Sequence, residues 1–301
     1  MKKRLLIIGC GDVGRRLIPL ARRRYRVYAL MRDQHDSARI RAIRELGATP
    51  IIADLDAPHS PRAIAGIAHD VVHLAPPPSQ GVTDTRTAHL IAALGKLGNT
   101  QGSLPRHFVY ISTSGVYGDC AGDVVPETRP TRPQTVRAQR RVDAERRLRA
   151  WGARSGVAVS ILRVPGIYAD DRLPLARLQR GTPAIIDAED SYVNHVHADD
   201  LARMVMAALA HARPGRAYNA VDDAPQKMGE YFDWVADRRG LQRPPRIARS
   251  EAQRVLPETL LSFMSESRRL TNLRVKQELR FRLRYPSVYD GVGVAPVGNA
   301  R

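Results

Sequence analysis

The apolar run Leu5 to Ile8 breaks off into Gly9-Cys10-Gly11-Asp12-Val13-Gly14, and a helix-compatible stretch, RRLIPLA, follows at once. Three glycines at this spacing, between a strand and a helix, leave little freedom of fold. Gly9 permits a tight turn, Gly11 lets a ligand approach the backbone with no Cβ in the way, and Gly14 lets the helix lie close on the sheet. The unpaired N–H groups at such a helix start, with the helix dipole behind them, favour an anion. Gly9, Gly11, Asp12, Val13 and Gly14 are therefore expected to cradle a phosphate group, an ordinary glycine turn being the alternative.

The strand-then-helix rhythm recurs. Apolar runs with β-branched residues occupy Arg4 to Ile8, Arg26 to Leu30, Thr49 to Ala53, Asp70 to Leu74, His107 to Ser112 and Ala158 to Arg163. Between them Ile40 to Leu46, Thr87 to Leu97 and Val136 to Trp151 carry apolar residues three and four apart. Such alternation predicts an α/β fold, a doubly wound parallel sheet of the Rossmann type with a smaller C-terminal substrate lobe. Residues 1–164 are expected to form the dinucleotide-binding domain, joined by a strand returning near 216–221. After Val164, the prolines Pro165, Pro174 and Pro183 loosen the pattern, so residues 165–301 are expected to make mainly the substrate lobe. An amphipathic helix is expected over Asp199 to His211, and helical or turn segments over Gln226 to Arg239 and Leu256 to Leu279. Pro19 falls within the first helix, and the residues from Gly291 onward read as a loosely held tail.

Composition narrows the function classes. The formal charge is +18, but only five of the 48 basic residues are Lys, and the 43 Arg are spread over nearly every expected helix. That scatter argues against a nucleic-acid-binding stripe and leaves a local attraction for phosphorylated ligands. Two cysteines, Cys10 and Cys120, are too few for a disulfide framework and have no partner at metal-ligand spacing, so no metal is expected. No stretch approaches the roughly 20 apolar residues of a membrane span, and the apolar run after MKKR ends too soon for a signal peptide. The expectation is a cytoplasmic protein, monomeric or homodimeric, whose partner is a small-molecule substrate or none.

The end of the second strand reads VYALMRD, with Arg32 where an acidic residue stands when a ribose diol is bound. Arg32, helped by Arg15 just after the glycine loop, suits a 2′-phosphate, so NADP is expected ahead of NAD. Asp54 ends the third strand in IIADLD beside Leu55; it either accepts from an adenine amino group or caps a helix. The loop His73 to Pro78 is expected to carry Ala75 and Pro76 past the cofactor's central ribose.

The segment FVYISTSGVYGD, with ILRVPGIY, NHVHADDLARMVMAAL and the pair SESRRLTNLRVKQEL and RYPSVYDGV, resembles the extended short-chain dehydrogenase/reductase superfamily (NAD-dependent epimerase/dehydratase-like). The resemblance covers nearly the whole chain. It implies that Thr113 binds substrate with Ser114 beside it, that Val164 and Pro165 pass the nicotinamide, and that Asn194 belongs to the substrate lobe. It also implies a Tyr and a Lys one turn apart on the next helix, cooperating in proton transfer. That helix reads PQTVRAQRRVDAE; aligned on Glu145, Arg141 stands for the Lys and Arg137 for the Tyr. A guanidinium can hold a cofactor ribose, but it is a poor proton donor near neutrality. Loss of the pair is similar to the atypical YeeZ-like subgroup. The expectation is an NADP-dependent oxidoreductase or epimerase/dehydratase-like enzyme acting on a small carbonyl, hydroxyl or sugar-derived compound. Tyr117, Tyr168 and His197 are the candidate acids, and a catalytically inactive dinucleotide-binding sensor or scaffold is the alternative.

Overall fold

The computed structural model describes residues 2–33, 35–95 and 104–293; Leu97, at the end of the expected third helix, and the tail from Val294 lie outside them. Seven strands form one sheet: β1 (Lys3–Ile8), β2 (Tyr25–Met31), β3 (Ala48–Ile52), β4 (Asp70–His73), β5 (His107–Thr113), β6 (Ala158–Val164) and β7 (Ala217–Asn219). All neighbours are parallel, in the order β7-β6-β5-β4-β1-β2-β3. The first six lie within a residue of the expected bounds, and β7 is the returning strand. The order reverses between β1 and β4, which leaves a crevice at the strands' carboxyl ends.

The helices that cover the sheet are α1 (Asp12–Ala21), α2 (Ser37–Glu45), α3 (Thr85–Leu94), α4 (Val136–Ser155) and α5 (Ala198–His211). Leu5 and Ile7 of β1 face one core and Leu6 and Ile8 the other, all fully buried, as the two-residue period of a strand demands. The first core is closed by Leu17 and Ile18 of α1, Ile43 of α2 and Leu201 and Val205 of α5. The second is closed by Leu90 and Leu94 of α3 and by Ala144, Leu148 and Trp151 of α4. Asp36, Asp84 and Thr135 start α2, α3 and α4 by accepting from the N–H of Arg39, Thr87 and Ala138, each cap stabilising by ~1 kcal/mol. Pro19 sits in the last turn of α1, which ends at Ala21.

A buried ion pair fixes α4 to the sheet. Glu145 Oε2 lies 2.8 Å from Arg163 Nη2, and its Oε1 accepts from Ser112 Oγ at 2.6 Å. Burial pushes the Glu145 carboxyl up, but the Arg163 guanidinium outweighs it and holds the group below the usual carboxylate range.

Outside the main sheet the chain builds short two-stranded ladders in place of a second sheet. Gly166–Tyr168 pairs with His195–His197, Tyr192–Val193 with Gln226–Lys227, and Val124–Val125 with Arg269–Leu270. The expected Gln226 to Arg239 segment divides into the strand Gln226–Lys227 and the helix α6 (Met228–Arg239). Leu256 to Leu279 becomes two short helices, Glu258–Met264 and Leu273–Glu278, with Arg269–Leu270 between them. A third core gathers Tyr168, Leu178 and Val288 around Tyr231, Phe232 and Val235 of α6. Among the described residues no helix is long and apolar enough to cross a membrane.

Candidate functional site

The glycine loop leaves β1 beside the crevice. Gly9 has φ +82°, and a Cβ built there would come 2.5 Å from the backbone N and Cα of Ala75, so both the turn and the close approach require glycine. At Gly14 a Cβ would lie 3.1 Å from Cys10 Sγ and 3.3 Å from Leu74 Cδ1, which sets how closely α1 lies on the sheet. At Gly11 a Cβ would meet nothing within 4 Å. Gly11 is also the N-cap of α1 and supplies no side-chain cap bond, so the first turn faces open space with its donors available to an anion. A pyrophosphate fits this cradle. Asp12 and half-buried Val13 can offer it backbone N–H groups only, because the Asp12 carboxylate is held by Arg16 and Arg172, each at 3.1 Å. Cys10 is a packing residue, buried, its thiol pushed up to about 11 by burial.

Strand order puts the ends of β2 and β3 on one side of this loop and the ends of β5 and β6 on the other. On the first side a cavity of about 300 Å³ is lined by Arg32, Asp54, Leu55, Ala75 and Pro76. The Arg32 side chain is 70% exposed and 3.9 Å from Asp56. Asp56 is held by Arg86 in two bonds of 2.6 and 2.7 Å, which keep its carboxyl below the usual range. Asp54 Oδ1 accepts from the Asp56 N–H at 3.0 Å, closing a local turn at the cavity wall and capping no helix. Arg15 is exposed and is not among the residues that line this cavity. Arg39, in the first turn of α2, does line it and donates to the Cys10 carbonyl at 3.1 Å. Among 43 arginines nothing local marks Arg39; the Asp36 cap that orients its turn is the only signal.

On the other side a cavity of about 230 Å³ opens at the end of β5. Thr113, Ser114 and Pro165 line it from the sheet, and Arg137 from the first turn of α4. Thr113 Oγ1 accepts from the Gly115 N–H at 3.3 Å. Asn194 lines the wall and clamps the neighbouring segment, its Nδ2 donating to the Arg268 carbonyl at 2.9 Å and its Oδ1 accepting from Leu270 N–H at 2.8 Å. Among the lining residues that sequence reasoning missed, four carry polar side chains: Tyr192, His195, Glu266 and Arg268. The His195 ring lies 4.3 Å from the Tyr231 ring, burial pushes its pKa down to about 4, and its Nδ1 has no hydrogen-bond partner among the described residues. Glu266 is 6% exposed; Oε2 accepts from Arg268 Nη1 at 2.7 Å, and Oε1 has no donor among the described residues.

The expected acids lie elsewhere. Tyr117 is buried and donates to Asn219 Oδ1 at 2.7 Å beneath the Arg163 guanidinium, so it serves the core; burial pushes its phenol up. Tyr168 donates to the Ser287 carbonyl at 2.7 Å, and burial raises its pKa likewise. His197 caps α5, its Nδ1 accepting from Asp199 N–H at 3.1 Å, and its ring stacks 3.8 Å from Tyr285 beside a separate cavity lined by Arg16 and Asp171. Arg141 braces β5, donating to the Ile111 carbonyl at 2.8 Å and the Tyr110 hydroxyl at 3.1 Å, and does not line the Thr113 cavity. Val164 is buried, and half-buried Pro165 is the part of that segment that lines the cavity.

A model of the NAD dependent epimerase/dehydratase family matches residues 5–220. Among solved structures, a conserved protein of unknown function from Silicibacter pomeroyi DSS is 29% identical over 96% of each chain, with a TM-score of 0.77. UDP-glucuronic acid 4-epimerase from Bacillus cereus, solved with NAD, is 16% identical over 97% of this chain and 96% of that one, with a TM-score of 0.74. UDP-glucose 4-epimerase from Thermotoga maritima, solved with UDP-glucose, is 17% identical over 96% of each chain, with a TM-score of 0.74. The last two are likenesses of fold. No curated protein matches the chain.

Proposed function

The chain belongs to the NAD dependent epimerase/dehydratase family, and from that premise we propose that it is an NADP-dependent oxidoreductase or epimerase-like enzyme of the atypical extended short-chain type. Its substrate in this reading is a small, sugar-derived carbonyl or hydroxyl compound. One observation carries the proposal: the uncapped start of α1, with open space over Gly11, stands between an arginine-bearing cavity and the Thr113 cavity along one sheet edge. That layout suits a ligand with a phosphate bridge in its middle and two different ends. Arg39 and Arg32 support NADP: Arg39 brings a charge paired with no carboxylate among the described residues, and Arg32 shares with Arg86 an Asp56 that Arg86 holds by two bonds.

Bound there, a nicotinamide dinucleotide supplies a hydride acceptor or donor. Thr113 orients the substrate oxygen through its hydroxyl. Tyr192 is the tyrosine that lines this cavity and stands as the proton donor, replacing the phenol missing at Arg137. The Arg137 charge, left unpaired while Arg268 is matched by Glu266, favours negative charge developing on that oxygen.

Calorimetric titration with NADP(H) and NAD(H) tests the cofactor site, and NADPH oxidation over a panel of aldehydes, ketones and keto sugars tests the chemistry. Gly11→Val is expected to abolish NADP binding by filling the cradle. Tyr192→Phe is expected to lower turnover by roughly 10²–10⁴ while Tyr117→Phe leaves it within about twofold. Failure of the wild type to bind either dinucleotide would sink the proposal. Arg137 and Arg141 at the positions of the absent pair favour one second reading, a dinucleotide sensor, which tight NADP binding without turnover of any compound would select.

A further inference from the structure

Arg137 carries a charge that the protein leaves unmatched. Its guanidinium lies 3.9 Å over the Phe263 ring and lines the Thr113 cavity, yet among the described residues it forms no hydrogen bond or ion pair. The carboxylate whose field it feels is Glu266, and that group is already bonded to Arg268 at 2.7 Å. Arg268 and Glu266 cancel, His195 is neutral near pH 7, and the cavity keeps one positive charge, on Arg137. A second unmatched group is of opposite sense: Oε1 of Glu266, on a side chain only 6% exposed, accepts from no donor among the described residues. A buried acceptor left without a donor is destabilising, and a ligand hydroxyl would relieve it.

We infer that the Thr113 cavity binds a small polyhydroxylated anion, its carboxylate or phosphate on Arg137 and one of its hydroxyls on Oε1 of Glu266. The inference rests on the preceding reading for the cavity's role and goes beyond it in naming the substrate's charge. A guanidinium fixed by ring stacking presents a planar fork that matches a carboxylate or a phosphate in two parallel bonds. A neutral polyol satisfies Glu266 and leaves Arg137 unpaired. At about 230 Å³ the cavity suits a single sugar-sized ring or chain.

The test is calorimetric titration of the full chain, alone and saturated with NADP, using gluconate, glucose 6-phosphate and uncharged glucitol as probes. At least one anion is expected to bind, with glucitol at least about tenfold weaker; which anion is preferred tells carboxylate from phosphate. Arg137→Ala, on an exposed helix position, is expected to weaken the preferred anion by about tenfold or more and to leave NADP affinity unchanged. Arg137→Lys falls between, and Glu266→Gln weakens the anion several-fold while its amide still pairs with Arg268. Glucitol binding as tightly as both anions, an Arg137→Ala variant that keeps full anion affinity, or a wild type that binds neither anion would each overturn the inference. Loss of NADP binding with the anion site intact would defeat the dinucleotide reading alone.

Discussion

Truncating Arg39 to Ala is expected to erode the preference for a phosphorylated dinucleotide. Arg39 is placed by the Asp36 side chain, which accepts from its N–H at 2.9 Å, and its Nη2 stands 3.1 Å from the Cys10 carbonyl at the edge of the cavity. NADP differs from NAD by one phosphate on the adenosine ribose, carrying nearly two negative charges at neutral pH. A charge-assisted hydrogen bond to such a group contributes ~1.5–3 kcal/mol. Arg39 is solvent-exposed, so screening points to the lower figure: about 1.5 kcal/mol, or a roughly tenfold rise in the Kd for NADP. Arg32 is 70% exposed and shares its charge with Asp56 at 3.9 Å, and Arg32→Ala is expected to cost only ~0.5–1 kcal/mol, about two- to fivefold. NAD affinity is expected to stay within about twofold in both variants. Calorimetry at about 50 and about 300 mM salt measures this, and the tenfold effect is expected to shrink at the higher salt. Equal losses for NADP and NAD in Arg39→Ala would refute the argument, because they would mean that the guanidinium supports the Cys10 carbonyl and the loop.

Two further outcomes concern stability. Glu145→Ala leaves Arg163, 4% exposed, as an uncompensated buried cation, and is expected to cost ~3–5 kcal/mol in urea denaturation; a loss under about 1 kcal/mol would contradict the buried-pair account. His195 is held neutral in the fold, with its pKa pushed from 6.5 to about 4. The folded state therefore binds fewer protons below pH 6.5, so this contribution is complete above that value and is lost as pH falls toward 4. Between about pH 7 and pH 5 the loss is about 2 kcal/mol, and His195→Gln is expected to flatten the stability profile by that amount. A variant as steep as the wild type would remove His195 as the cause.

The sheet was readable because its signals are local. Leu5 to Ile8 must end where Gly9 turns, and each later run is bounded by its own loop and helix. The glycine cradle was readable for the same reason. The Thr113 cavity was not, because its far wall comes from distant segments: Tyr192, His195, Glu266 and Arg268 carry no spacing that announces them. Local motifs also misdirected. Tyr117 stands one short helical turn after Thr113, but that turn carries it toward Asn219 of β7 and away from the cavity. His195 and His197 stand two residues apart on one strand and both meet Tyr168, yet the start of α5 claims His197 as its cap while His195 keeps the cavity. Arg15 and Arg39 both stand near Cys10, and it is packing that brings Arg39 to the Cys10 carbonyl and the cavity wall.

The two faces of the sheet are also sealed at very different points along the chain. The face under α3 and α4 has all its covering helices once residue 155 is made, whereas the opposite face waits first for α5, which ends at residue 211, and then for Val275, Leu279 and Phe281. At ~5–20 residues per second on the ribosome, the wait for α5 lasts about 3–11 s. During it Ile111, Leu162 and Val164 have strands to stand on and only part of their roof. The nascent chain is then a half-covered sheet with an unpaired edge at β6, the kind of surface that chaperones shield and that otherwise aggregates.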